Sequence, residues 1–285
     1  MENKTDILET VSNISTIPTL PTVLERITTL LKNPQTSAEE VGRAITKDQA
    51  LASKVLKLVN SAFYGFPGRI STITHAVVIL GFSTIKNIVL TASIFETFKK
   101  GRENFAGFDM EKFWIHSIAC GAAAQTLAKH IGNQDREECF IAGLIHDIGK
   151  IILCQYLPKE FNEITRNVRE KNILIFDSER ELYNTTHQEI GGIIAKNWNL
   201  PANLQQAVCH HHNPTKNQNH FITISIVHCA DILVRALDFG NGGDNKIPSL
   251  AEHVWKTLKL NEKNLLPILE EISEEVKKAK IFMQI

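Results

Sequence analysis

An all-α protein is what this sequence predicts, with an N-terminal helical bundle packed on a second, C-terminal helical bundle. Three observations lead there. Apolar residues recur at helical spacing through almost the whole chain, cap-forming residues open several of those runs, and no stretch alternates apolar and polar as a half-buried strand would. At 285 residues, with 43% hydrophobic and 22% charged, the chain is of ordinary globular composition and can bury a substantial core.

Pro18 and Pro21 precede an amphipathic run, Val23, Ile27, Leu30 and Leu31, that stops before Asn33-Pro34. Ser37-Ala38-Glu39-Glu40 has the form of a capping box and opens a second helix, with Val41, Ala44 and Ile45 on its apolar face. Asp48 is placed to cap a third, through Leu51, Val55, Leu56, Leu58 and Val59. Asn60 to Gly68 holds two glycines and a proline and reads as a loop. Ser71 or Thr72 starts a helix over His75 to Leu80, and Gly81-Phe82-Ser83 punctuates it before a last helix, Ile85 to Phe98. Lys99 to Phe108 is polar and glycine-bearing, a connector.

In the second half, Asp109 is placed to cap a helix through Glu111, Trp114, Ile118, Ala122 and Leu127. The apolar run from about Glu137 to Tyr156 predicts one continuous helix. Thr186-His187-Gln188-Glu189 forms another capping box, and Gly191-Gly192 one turn later allows close packing. Trp198-Asn199-Leu200-Pro201 separates that helix from the next, Ala202 to Val208, which closes in Cys209-His210-His211-His212-Asn213-Pro214. Phe221 to Leu237 is a strongly apolar helix, Asp238 to Asp244 a loop with three glycines, and Leu250 to Phe282 an amphipathic tail whose charges read as a solvated face. These elements divide the chain into an N-terminal bundle over 1–100, a second bundle over 101–240 and a tail over 241–285.

Composition excludes several classes. Lys+Arg and Asp+Glu are 31 each, so no global charge favours nucleic acid or membrane surfaces, and no basic patch with interleaved aromatics appears. The apolar runs look too short or too interrupted to span a bilayer, and Met1-Glu2-Asn3-Lys4 has no signal-peptide form. Cys120, Cys139, Cys154, Cys209 and Cys229 are scattered and odd in number, which reads as reduced thiols in a cytoplasmic protein.

The chemistry concentrates in Ile141 to Leu153, an apolar run that carries His146, Asp147 and Lys150 at its centre. An unpaired buried carboxylate costs several kcal/mol or more, so such a group must be ion-paired, hydrogen-bonded or metal-bound. Imidazole and carboxylate suit a divalent first-row metal, and the Lys150 ammonium beside them suits an anion such as phosphate. Of eleven histidines nine fall from His116 to His228, enough to supply ligands from several helices. Asp231, inside an apolar helix, makes the same demand for a partner, and His228 one turn earlier shares its face. Three consecutive histidines, His210 to His212, cannot share one helical face, so the alternative is a basic last turn set against the helix dipole. His130 near a helix end reads the same way.

Three segments stand in a telling order: Ile17-Pro18-Thr19-Leu20-Pro21, Leu56-Lys57-Leu58-Val59-Asn60-Ser61-Ala62 and His75-Ala76-Val77-Val78-Ile79-Leu80-Gly81. With the His146-Asp147 segment, the set resembles the HDOD family, the HD-related output domain of bacterial signal transduction, over roughly Ile14 to Asp231. That resemblance implies an all-helical cytoplasmic signalling module, here an HDOD unit standing alone, in which Asn60 and His75 cap and brace or else meet a partner. It also implies roles in a metal centre. His116, in Trp114-Ile115-His116-Ser117, resembles the first ligand position of the HD superfamily, and Asp231 the closing one. The pattern His187-x-x-x-Gly191 resembles a ligand position of two-metal relatives, and His211-His212-Asn213-Pro214 matches His-His-x-Pro. The implied ligand sets are His116, His146, Asp147 and Asp231 for one ion, and His187, His211 and His212 for a second. The ions would be Fe, Mn, Ni or Zn. The chain departs from family patterns in Asp48-Gln49 in place of Asp-Pro. It has Asn213-Pro214-Thr215-Lys216 where cyclic-dinucleotide phosphodiesterases carry Gly-Tyr-Pro, and Ala142 where three-metal members carry glutamate.

Two functions follow. The first is an output module that binds signalling proteins or a small phosphorylated ligand, with any metal serving structure. The second is a metal-dependent phosphohydrolase or phosphodiesterase, with Asp147 and the histidines holding the metal and Lys150 neutralising the phosphate. The departures count against cyclic-dinucleotide hydrolysis.

Overall fold

The computed structural model describes residues 7–14, 22–98, 108–215 and 219–284, and every regular element among them is helical. Residues 22–98 with residues 277–284 form one compact unit, and helix α1 (Ile7–Asn13) with residues 108–276 forms the other. The Ile17 to Pro21 segment and most of the Lys99 to Phe108 connector lie outside the described residues.

In the smaller unit the local signals act as their chemistry requires. Helix α2 (Thr22–Leu30) buries Leu24 and Ile27. Helix α3 (Ala38–Thr46) opens on the Ser37 capping box, with the Glu40 N–H donating to Ser37 Oγ at 3.2 Å and the Ser37 N–H to Glu40 Oε2 at 2.8 Å. Asp48 caps α4 (Gln49–Val59) by accepting the Leu51 N–H at 3.0 Å. Asn60 then braces the following loop, donating to the Ile70 carbonyl and accepting the Ile70 N–H, both at 2.8 Å. Of the two predicted starts for α5 (Ile73–Phe98), Thr72 is the one used, its hydroxyl accepting the His75 N–H. The run continues to Phe98 across a kink at Gly81 (φ 82°, ψ 166°), a conformation open to glycine and strained for other residues.

The larger unit begins with α6 (Met110–His130), capped by Asp109, which accepts the Lys112 N–H at 3.0 Å. There follow α7 (Arg136–Ile145), α8 (Ile148–Tyr156), α9 (Pro158–Lys171), α10 (Ile175–Tyr183), α11 (His187–Asn197) and α12 (Ala202–His210). Then come α13 (Phe221–Ala236), α14 (Glu252–Thr257) and α15 (Glu262–Ala279), before a 3-10 turn over Lys280–Gln284. Helix α6 packs on α7 through small residues. A Cβ on Gly143 would sit 2.5 Å from the Cys120 carbonyl oxygen, so only glycine permits this approach. Glycine at 149 is needed for the same reason, since a Cβ there would sit 2.0 Å from the His187 carbonyl oxygen of α11.

One expectation is corrected. The single helix over Glu137 to Tyr156 is two helices, because Asp147 takes a non-helical conformation (φ −99°, ψ 14°) between α7 and α8. On an unbroken helix, adjacent side chains diverge by about 100°. The break lets His146 and Asp147 turn to one point. The segments Ile73–Phe98 and Arg136–Tyr156 are long and apolar enough to cross a membrane by length and composition alone. Their apolar windows are 56% and 89% buried within the protein, and both segments are interrupted, at Gly81 and Asp147.

Candidate metal centre

Five helices and one turn of the larger unit deliver seven titratable side chains to one buried volume. His116 comes from the middle of α6, His146 and Asp147 from the α7–α8 break, and His187 from the first turn of α11, set by the Thr186–Glu189 capping box. His211 and His212 follow the end of α12, and Asp231 lies in α13. His116, His146, Asp147, His187, His211 and Asp231 are each 2% exposed or less, and His212 alone is half-buried. All seven ligand candidates named from the sequence therefore converge. His211 and His212 both enter because the helix has already ended at His210, which removes the one-face restriction of a regular helix. His210 belongs to neither donor group among the described residues.

Ligand-quality atoms gather as two groups: His116, Cys120, His146 and Asp231, and then Asp147, His187, His211 and His212, each within 4.8 Å. Asp147 joins the two. Its Oδ2 lies 3.3 Å from His146 Nε2 and 3.8 Å from His116 Nε2, while its Oδ1 lies 3.1 Å from His187 Nε2 and 3.6 Å from His211 Nε2. Asp231 Oδ1 is 3.2 Å from His116 Nε2 and 4.0 Å from His146 Nε2.

Hydrogen bonds on the outer nitrogens aim the inner ones. His146 Nδ1 meets the Gly143 carbonyl at 2.7 Å and His211 Nδ1 the Val208 carbonyl at 3.0 Å, contacts that need the N–H on Nδ1. His187 Nδ1 meets Glu179 Oε2 at 2.7 Å, and the same oxygen accepts the His187 backbone N–H at 2.9 Å. In each neutral imidazole this leaves an unprotonated Nε2 facing inward. His187 Nε2 and His211 Nε2 stand 3.4 Å apart. His146 Nε2 and Asp147 Oδ1 are buried without a hydrogen-bond partner. Orphaned donor atoms, fixed tautomers and a carboxylate shared between two groups fit a divalent cation, with outer-layer bonds of the kind that orient metal-bound imidazoles.

The acids are held ionised. Burial alone would raise the Asp147 carboxyl, but His146, Lys150 and His187 overcome it and hold it well below the usual range. The same contest at Asp231 is won by Arg235 and His116. Arg235 Nε donates to Asp231 Oδ1 at 2.7 Å and its Nη1 to Asp244 Oδ1 at 2.9 Å. Among the imidazoles, burial lowers His116, pulls His211 down to about 3 and holds His212 well below its usual value, which favours the neutral, ligating form. At His187 burial is the largest influence and lowers the pKa, yet Glu179 and Asp147 together outweigh it and the net shift is upward.

Lys150 is fully buried, and its ammonium donates to Asp147 Oδ2 at 2.6 Å and to the Gly242 carbonyl at 2.8 Å. His228, left open by the sequence, has its Nδ1 2.7 Å from the His211 carbonyl and so braces the turn that presents His211 and His212. Glu179, Cys120, Arg235 and the Gly242 carbonyl were not anticipated. Two of these had a readable signal, because Cys120 follows His116, and Arg235 follows Asp231, by one helical turn of four residues. Glu179 and Gly242 reach the site through tertiary folding, and no local pattern marks them.

The HDOD domain model matches residues 17–214. An uncharacterized protein of Treponema pallidum (strain Nichols) is 29% identical over 227 residues, 79% of this chain and 43% of that protein, so the chain spans under half of that relative's length. The crystal structure of an HDOD domain protein of unknown function from Geobacter sulfurreducens superposes with a TM-score of 0.81 at 26% identity, covering 96% of each chain. A protein from Shewanella amazonensis SB2B, described as a candidate phosphohydrolase, shares the fold with a TM-score of 0.75 at 21% identity, covering 99% of this chain and 98% of its own. With a family match over more than half its length and a fold to agree, this chain belongs to the HDOD family.

Proposed function

We propose that this protein is a cytoplasmic signal-transduction module that acts by binding a protein or a small phosphorylated ligand. Its HD-like unit holds one or two divalent cations as a structural centre. Burial supports this reading most directly: six of the seven implied ligands are at most 2% exposed, and the Lys150 ammonium is already engaged by Asp147 and Gly242. A phosphoester would have to reach a closed volume and displace that pair before any chemistry. Closed coordination by protein side chains is the habit of structural metal sites, whereas catalytic ones keep a position open. Here His116, His146 and Asp231, with Asp147 shared, would hold one cation, and His187, His211 and His212 the other. The cation would neutralise the buried carboxylates and bind the helices together.

A second reading, hydrolysis of a phosphoester, is favoured by the placement of the two Asp147 oxygens toward separate ligand groups. Paired cations supply Lewis acidity and water activation to phosphoryl transfer. In that reading Lys150 leaves Asp147 to meet the phosphate.

Metal analysis of the purified full chain, followed by a panel of phosphomonoesters, phosphodiesters and nucleotides with added Fe, Mn, Ni or Zn, separates the two. The expected result is bound metal without turnover. Metal-dependent hydrolysis that disappears in Asp147→Asn would replace the first reading with the second. Absence of metal under every loading condition would remove both.

A further inference from the structure

Cys120 belongs to none of the ligand patterns that brought His116, His146 and Asp231 to notice, yet it lies among them. It is fully buried in α6 and follows His116 by four residues, so the two side chains share a helical face. Its Sγ lies 3.5 Å from His116 Nε2. With metal–sulfur and metal–nitrogen bonds of about 2.3 and 2.05 Å and tetrahedral angles, a zinc-type site sets sulfur and nitrogen roughly 3.6 Å apart. The same arithmetic places nitrogen and oxygen roughly 3.4 Å apart, and His116 Nε2 to Asp231 Oδ1 measures 3.2 Å. The sulfur thus stands where a ligand would stand.

Two further observations point to a bound cation. His146 Nε2 is completely buried, lacks a hydrogen-bond partner, and belongs to the same group of donor atoms as Cys120 Sγ. The Asp147 oxygen nearest this group, Oδ2, already accepts a 2.6 Å bond from the Lys150 ammonium, and part of its charge is committed there. A cation at this group therefore draws less from Asp147 and has a vacancy for a fourth donor. Gly143 contributes as well, because its lack of a side chain lets α7 lie against the Cys120 backbone.

We propose that Cys120 is a metal ligand, so that His116, Cys120, His146 and Asp231 form a closed site selective for zinc or ferrous iron over manganese and magnesium. This rests on the reading of the centre as metal-binding and adds the sulfur donor and the class of metal. On binding, the thiol loses its proton to solvent and the sulfur lone pair forms the metal bond, with no change of oxidation state. A coordinated thiol is deprotonated because the cation's charge dominates its surroundings. Thiolate sulfur is a soft donor, preferred by zinc and iron and a poor partner for magnesium or manganese.

The test uses the full chain loaded with zinc for X-ray absorption, and with cobalt(II) as an optical probe. The proposal expects one sulfur scatterer at about 2.3 Å in the zinc shell, together with a sulfur-to-cobalt charge-transfer band in the near-ultraviolet. Cys120→Ser should lose the band and retain zinc at least ~10-fold more weakly, within the range that perturbing a metal site produces. A Cys229→Ser control should keep both. The wild-type measurement needs no variant, so misfolding of Cys120→Ser does not blunt it. A shell of nitrogen and oxygen only, with metal bound, overturns the assignment of Cys120 and leaves the metal centre standing. No metal bound at all overturns the metal centre too.

Discussion

Glu179→Gln tests whether the outer layer of the centre tunes it. Glu179 is 1% exposed, and its Oε2 accepts both the His187 Nδ1–H at 2.7 Å and the His187 backbone N–H at 2.9 Å. The glutamine is nearly the same size and keeps an oxygen able to accept, so packing changes little. What goes is the charge. Bonds to a charged acceptor are worth about 1.5–3 kcal/mol each against 0.5–1.5 for neutral ones. Neutralising one acceptor that serves two donors therefore removes roughly 2 kcal/mol of hold on the imidazole. A further loss comes from the reduced basicity of Nε2, since Glu179 is the largest of the groups that raise His187 against the lowering by burial. A partner of this kind is typically worth 10- to 100-fold in metal affinity, about 1.4–2.7 kcal/mol. Competition titration against a fluorescent chelator should show a loss in that range, with circular dichroism unchanged. An affinity within about twofold of wild type would refute the claim that the Glu179–His187 pair matters to the metal, because a twofold change is below 0.5 kcal/mol.

Three further outcomes are expected. Asp147→Ala should abolish metal uptake at the His187, His211 and His212 group and lower the melting temperature, because removing one partner of a buried ion pair costs about 3–5 kcal/mol and here strands Lys150. Metal content equal to wild type, by mass spectrometry, would count against Asp147 as a ligand. Gly149→Ala should destabilise by about 1–3 kcal/mol in a denaturant melt, since the new Cβ would meet the His187 carbonyl at 2.0 Å and α11 must move away; a neutral effect would mean that the α8–α11 contact yields freely. Burial pushes the Cys139, Cys154 and Cys229 thiols up to about 12. Raised pKa leaves the neutral thiol dominant, so at pH 8 the thiolate fraction is on the order of one in ten thousand. An aromatic disulfide reagent should modify the half-buried Cys209 first and the other three only after unfolding. Fast reaction of several thiols in the native protein would contradict that.

Features decided within three or four residues were legible beforehand. The Ser37–Glu40 and Thr186–Glu189 capping boxes and the Asp48 and Asp109 caps each depend on one side chain meeting a backbone group three residues away, and all four are present. The kink at Gly81 was readable for a similar reason, since glycine there adopts a backbone conformation that other residues avoid. The break at Asp147 was not. Apolar periodicity runs straight through it, while the break sets Asp147 between His116 of α6 and His187 of α11, partners remote in sequence. Local propensity had no information about that.

The centre shows where such legibility stops and why. Histidine and aspartate in apolar surroundings declare themselves, because burial without partners is too costly to be incidental. Their number then implies a meeting point. The residues that complete the site carry no such declaration: Glu179 sits in a mixed polar helix, and Gly242 contributes only a carbonyl oxygen. Yet these fix how the visible ones act. Glu179 sets which nitrogen of His187 faces inward, and the Gly242 carbonyl helps hold Lys150 on Asp147, so that a lysine read from the sequence as a phosphate-binding group lies instead against the carboxylate. The distinction between a structural and a hydrolytic centre therefore rests on contacts remote in sequence. Lys150→Met is the substitution that exposes it. Under the structural reading it frees Asp147 Oδ2 for the cation and should leave metal content intact or raised, with activity absent before and after. Under the hydrolytic reading it should abolish turnover while metal remains bound. A loss of metal in Lys150→Met would contradict both, and would make the ammonium a required part of the fold around the site.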